Sequence, residues 1–182
     1  MRCSVYLTSV FILLAGIFFV GCSDDEDKNV TGDNNVQTYV DSVWVSDATV
    51  SEGEQTVITI NFSNSQQLIR VEVPLKVYGT GFYIDSVSFI GSRCPTDFLQ
   101  LVTIDTADQW VRTLWNGGPN LGVGSGLWAN MYITANPGSS GGSLTIDSAT
   151  IGTYPSSYFL YFMKSSGGLI YPGFSGGAVT IN

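Results

Sequence analysis

Leu68-Ile69-Arg70-Val71-Glu72-Val73-Pro74-Leu75-Lys76-Val77-Tyr78 decides how the rest of the chain is to be read. Ile69, Val71, Val73, Leu75 and Val77 alternate with Arg70, Glu72, Pro74 and Lys76, a period of two that sets one face dry and the other wet. The stretch is a β-strand. Pro74 has no N–H to give to a ladder, so the strand is expected at a sheet edge, at a bulge, or with the proline at a position bonded to no neighbour.

Working outward, residues 56–63 alternate in the same way through Ile58, Ile60 and Phe62, and further short runs follow at 83–90, 99–105, 110–115, 127–135, 143–151, 158–163 and 178–182, with 44–50 before them. Turn formers separate them: Gly79-Thr80-Gly81, Asn116-Gly117-Gly118-Pro119-Asn120, Asn136-Pro137-Gly138, Gly141-Gly142 and Ser165-Ser166-Gly167-Gly168. No segment offers ten residues of helical period. Such a chain is predicted to be all-β, a two-sheet jelly-roll or immunoglobulin-like sandwich of about nine strands. No repeat of fixed period points to a propeller or solenoid.

The N-terminus reads differently. Arg2 precedes an almost wholly apolar run to Val20, too short for the roughly 20 residues of a spanning helix but suited to a signal peptide. Phe19-Val20-Gly21-Cys22 closes it and resembles the lipobox of a bacterial lipoprotein, with Phe19 in place of the usual Leu. That resemblance implies a signal peptide over 1–21 and an acylated Cys22 that anchors the chain to a membrane. An ordinary secretory cleavage site with an incidental cysteine is the alternative. Residues 22–39 hold Asp24-Asp25-Glu26-Asp27 and little that could bury apolar surface, so they are expected to form a disordered acidic tether. This acidic run resembles the export signal of surface-exposed lipoproteins, or is a solvated spacer. With Ser23 after the cysteine, the expected address is the outer membrane, facing the periplasm or the cell surface.

The domain proper is expected over 40–182. The chain carries 7 basic and 15 acidic residues, a net charge of −8, and no histidine. Five of the acids lie in the tether, so the surface of the domain is only mildly acidic. Imidazole-dependent catalysis and His-based metal sites are excluded, and with so few cations nucleic acid is not an expected partner. Of three cysteines only Cys94 falls within the domain; it is expected as a buried small hydrophobe, without a disulfide.

The succession of motifs along the domain resembles cohesin-like domains. It runs from Ser51-Glu52-Gly53-Glu54 with Val57, Thr59, Asn61 and Ser63, through the strand over Ile69 to Val77, to Ile84-Asp85-Ser86-Val87. Gly124-Ser125-Gly126-Leu127-Trp128-Ala129, Asn136 to Gly142 before Leu144-Thr145-Ile146, and Gly176-Gly177-Ala178-Val179-Thr180-Ile181 complete it. After Tyr78 the chain has Gly79-Thr80-Gly81 where the family commonly has Tyr-Asp-Pro. The resemblance implies a nine-stranded jelly-roll that binds a dockerin-like protein and has no enzyme activity; no catalytic residue, cofactor or metal ligand is assigned from the sequence.

Residue chemistry adds a second reading. Alternation over 127–135 places Leu127, Ala129, Met131 and Ile133 on one face and Trp128, Asn130 and Tyr132 on the other, with Trp110 and Trp115 on opposite sides of a nearby strand. Exposed rings beside an amide would suit a polysaccharide ligand, and packing of these rings beneath loops is the alternative. A polysaccharide-processing lipoprotein is the third reading. Asp85, Asp105, Asp108 and Asp147 are its only carboxylate candidates, and each lies where turns and strand ends place Asp for backbone hydrogen bonding.

Overall fold

The computed structural model describes residues 37–153 and 156–182. The signal peptide, Cys22 and the tether up to residue 36 lie outside the described residues. Thirteen strands and no helix occur among the described residues. They are β1 (Ser42–Val45), β2 (Ala48–Val50), β3 (Gln55–Asn64), β4 (Leu68–Tyr78), β5 (Phe82–Ser88), β6 (Leu99–Asp105) and β7 (Trp110–Leu121). After these come β8 (Gly124–Ala135), β9 (Ser143–Ser148), β10 (Tyr161–Lys164), β11 (Leu169–Ile170), β12 (Gly173–Ser175) and β13 (Gly177–Ile181).

Two sheets form a sandwich. One runs β12-β1-β3-β8-β5; the other runs β11-β10-β4-β9-β13-β2, with β7 alongside β4 and β6 alongside β7. The strand count exceeds the expected nine because the terminal strands change sheets and because the two-residue β11 pairs with β10. The run 44–50, expected as one strand, ends its first half at Val45 in the five-stranded sheet and resumes at Ala48 in the other. β12 and β13 make the same switch at Gly176, and they lie parallel to β1 and β2 respectively. Sheet-switching strands build the corners of a sandwich. Ser46 and Asp47 pin the crossing: Ser46 Oγ accepts from the Thr59 N–H at 3.0 Å and Asp47 Oδ1 from the Ala178 N–H at 2.8 Å.

The alternation in β4 holds from Val71 onward: Val71, Val73, Leu75 and Val77 are buried with Ile58, Ile60, Phe62, Met131 and Ile133 of the facing sheet in one core, whereas at the register shift between Leu68 and Arg70 it is Leu68 that enters the core and Ile69 is only half-buried. β4 is not an edge strand, since β7 flanks it on one side and β10 and β9 divide the other. Backbone polar groups alternate in direction along a strand. Val77 N–H bonds toward β7, at Gln109 O, so Pro74 faces the β10 and β9 side. There β10 pairs only as far as Glu72 and β9 begins at Leu75, so the missing donor falls in the gap between them.

Candidate functional site

The four tryptophans sort by geometry rather than by simple alternation. Between β3 and β8, Ile60 pairs with Ala129 and Asn61 with Leu127, leaving Trp128 as the extra residue of a bulge. The bulge turns both Trp128 and Ala129 inward, and Trp128 is fully buried. Its ring meets Phe62 and Phe89 edge-on at 5.5 and 5.1 Å, and its Nε1 donates to Thr113 Oγ1 at 2.8 Å. The expectation of an outward Trp128 is therefore corrected. Trp115 is corrected likewise: it is fully buried, donates to Pro95 O at 3.3 Å, and is met edge-on by Phe98. Phe98 can lie there because Gly118 has no side chain; a Cβ would stand 2.2 Å from its ring.

Three candidates stay at the surface, on opposite faces. Asn130 and Tyr132 are half-buried on the outer face of the five-stranded sheet. Trp110 is half-buried on the outer face of the other sheet, where it pairs with Asp105 and Lys76.

On that second face, formed by β10-β4-β7-β6, the wet residues of the opening strand acquire a structure that the sequence reading did not single out. Glu72 is only 1% exposed. Its Oε2 accepts from Arg70 Nη2 at 2.8 Å and its Oε1 from Arg112 Nε at 2.7 Å. A carboxylate so enclosed requires such partners, because an uncompensated buried charge is strongly destabilising. The Arg112 guanidinium lies 3.7 Å from the centre of the Tyr158 ring, and Arg70 lies over Tyr161 at 5.4 Å. Burial, the charge of Glu72 and a hydrogen bond to it push the Tyr161 hydroxyl up to about 12. Only the alternation that puts Arg70 and Glu72 on one face of β4 was available in the sequence; Arg112 of β7 joins them through the register that sets it opposite Pro74 of β4.

Around this cluster the face is apolar and aromatic. Leu99 and Tyr171 are exposed, Leu101, Trp110, Phe159 and Met163 are half-buried, and Phe159 stacks on Tyr171 at 6.0 Å. Arg70, Lys76 and Arg112 lie here with Glu72 and Asp105, and Asp147 of β9 pairs with Lys76 at the margin, so positive charge is concentrated at the Arg70–Glu72–Arg112 cluster rather than spread over the face.

Three of the four carboxylates considered for catalysis are engaged locally, and Asp108 lies exposed in the turn that Asp105 holds. Asp105 Oδ1 accepts from the Ala107 and Asp108 N–H groups at 2.9 Å each, Asp147 Oδ1 from the Ser148 N–H at 2.7 Å, and Asp85 Oδ2 from Gln55 and Thr134 at 2.9 and 2.7 Å. Cys94 is buried, and burial pushes its thiol up to about 12, so it is no nucleophile at neutral pH.

No family model matches the chain, and no curated protein is significantly similar to it. Solved structures are similar. A type I cohesin–dockerin complex from Clostridium thermocellum aligns at 10% identity over 79% of this chain and 99% of that one, with a TM-score of 0.65. The seventh ScaB type I cohesin of Pseudobacteroides cellulosolvens aligns at 16% identity over 79% and 92%, with a TM-score of 0.62. A non-cellulosomal cohesin of the archaeon Archaeoglobus fulgidus aligns at 8% identity over 79% and 91%, with a TM-score of 0.59. At such identities the likeness is one of fold: the domain is a cohesin-like β-sandwich.

Proposed function

We propose that this cohesin-like domain is a non-enzymatic binding module that recognises a dockerin-like protein through the outer face of β10-β4-β7-β6. The observation that carries the reading is the Arg70–Glu72–Arg112 cluster set in an apolar and aromatic surround. Interface energy concentrates in Trp, Tyr and Arg anchors, and an anchor already held still loses little freedom on binding. Arg112 is held by Glu72 on one side and Tyr158 on the other. Two guanidinium groups against one carboxylate leave a surplus of positive charge and N–H donors at the centre, which suits a carboxylate or carbonyl of the partner. Leu99, Leu101, Trp110 and Met163 would supply the apolar contact around it.

The experiment is affinity capture from cell extract with the tagged full chain, compared across two variants. The wild type and Val57→Asp, which alters the opposite face, are expected to retain a common protein containing duplicated calcium-loop segments; Trp110→Asp is expected to lose it. Capture of no such protein, or equal capture by Trp110→Asp, contradicts the reading.

The same proposal places the module at the outer membrane through a lipid on Cys22, on the strength of the lipobox-like Phe19-Val20-Gly21-Cys22. Cys22→Ala should move the protein from the membrane to the soluble fraction, and unchanged fractionation would refute the anchor.

A further inference from the structure

The outer face of the five-stranded sheet has a chemistry opposite to that of the β10-β4-β7-β6 face. Register places its residues in rows across the strands. Trp44, Asn61 and Leu127 form one row; Thr59, Asn130 and Ser88 the next; then Val57, Tyr132 and Ser86; then Gln55, Thr134 and Tyr83. None of these is charged. The single carboxylate on the face, Asp85, is already engaged by Gln55 and Thr134.

The aromatic platforms lie at two ends of the face: Val57 pairs with Tyr132 and the exposed Tyr83 lies one row on, whereas Trp44 stands away from them. Trp44 and Tyr132 stand two strands apart and about four residues apart along β3, about 16 Å by ordinary sheet dimensions, with Val57 and Thr59 between them. Each ring has amide or hydroxyl neighbours: Asn61 beside Trp44, and Ser86, Asn130 and Thr134 around Tyr132. Among the described residues no hydrogen bond holds the Trp44 indole or the Tyr132 hydroxyl. Tyr83 and Val57 are exposed by 49% and 45%, so the sheet surface is open.

An anionic polymer would find no cation in these rows. A protein partner would find only the small Val57–Tyr132–Tyr83 group to build on, with no arginine or lysine anchor in these rows. A neutral sugar chain presents what the face lacks: flat C–H surfaces to lie on isolated rings, and hydroxyl groups that both donate to and accept from Asn, Ser and Thr side chains. We propose that the Trp44–Tyr132 face binds an extended, uncharged polysaccharide. The site is distinct from the protein-binding face and stands or falls without it.

The test is native affinity electrophoresis of the full chain through gels containing hydroxyethylcellulose, mixed-linkage β-glucan, xyloglucan or galactomannan, with polygalacturonate as the anionic comparison. At least one neutral polymer should retard the protein and polygalacturonate should not. Trp44→Ala and Tyr132→Ala should each weaken that retardation about tenfold, while Trp44→Tyr keeps most of it and Trp110→Ala all of it. Denaturant midpoints of the variants verify that they fold. The proposal is overturned by absence of retardation in every neutral polymer, by retardation unchanged in folded Trp44→Ala and Tyr132→Ala, or by retardation that depends instead on Trp110.

Discussion

Trp128 Nε1 donates to Thr113 Oγ1 at 2.8 Å across the interior of the sandwich, and Thr113 Oγ1 in turn donates to Val73 O at 2.9 Å. Trp128 belongs to β8 in one sheet, Thr113 and Val73 to β7 and β4 in the other. Two buried polar groups and a strand carbonyl are thus satisfied in one chain of bonds that ties the layers together. A polar group left without such a partner costs about 1–3 kcal/mol.

Thr113→Val keeps the shape and removes both bonds, so it should destabilise the domain by about 1–3 kcal/mol, as should Trp128→Phe. Since the two residues share one bond, the double variant should lose clearly less than the sum. Urea unfolding of the four proteins measures the cycle; simple additivity would mean that the bond contributes nothing.

Alkaline stability should fall in two overlapping steps. Cys94 and Tyr161 are both raised to about 12 in the fold, chiefly by burial, whereas in the unfolded chain they ionise near about 8.5 and about 10. Their contributions are whole below those unfolded values and are lost as pH rises toward about 12, because only the unfolded chain sheds its protons in that window. Denaturation midpoints between pH 8 and 12 should show the decline, with its upper part reduced in Tyr161→Phe and its lower part in Cys94→Ala. A flat profile contradicts the burial of both groups.

Gly176 marks the place where the last strand crosses between sheets. A Cβ there would stand 2.4 Å from the Ile146 carbonyl oxygen, and backbone cannot move aside as a side chain would. Gly176→Ala should cost about 1–3 kcal/mol by overpacking and loosen the β12–β13 crossing. Hydrogen exchange confined to faster opening of 173–181, together with a lowered melting temperature, is the expected result; an unchanged melting temperature contradicts it.

Period-two alternation carried the fold class, because a strand in a sandwich has one dry face and the sequence must record it. It also carried β4, although at the register shift near its start Leu68 rather than Ile69 enters the core. Trp128 was misplaced because a bulge is an event between two strands: nothing within 127–135 says that Ala129 and Leu127 face successive residues of β3. The β1–β2 and β12–β13 switches were hidden for the same reason, since a strand that changes sheets keeps its local pattern. Alternation puts Asn130 and Tyr132 on the outer face of β8, whereas Trp44, on the same face but two strands away across β3, could be found only once the register of β1 against β3 was known. The Glu72 cluster draws on β4, β7 and β10, which are distant in sequence.

The central claim is that the β10-β4-β7-β6 face is where a protein docks, and site-specific photocrosslinking tests it most directly. p-Benzoylphenylalanine is placed at position 99 or, on the opposite face, at position 57, both exposed, in cells producing the full chain. The account predicts a discrete protein adduct from position 99 that disappears when Arg112→Ala is added, and none from position 57. An adduct from position 57 alone, or one from position 99 that is indifferent to Arg112→Ala, would contradict it.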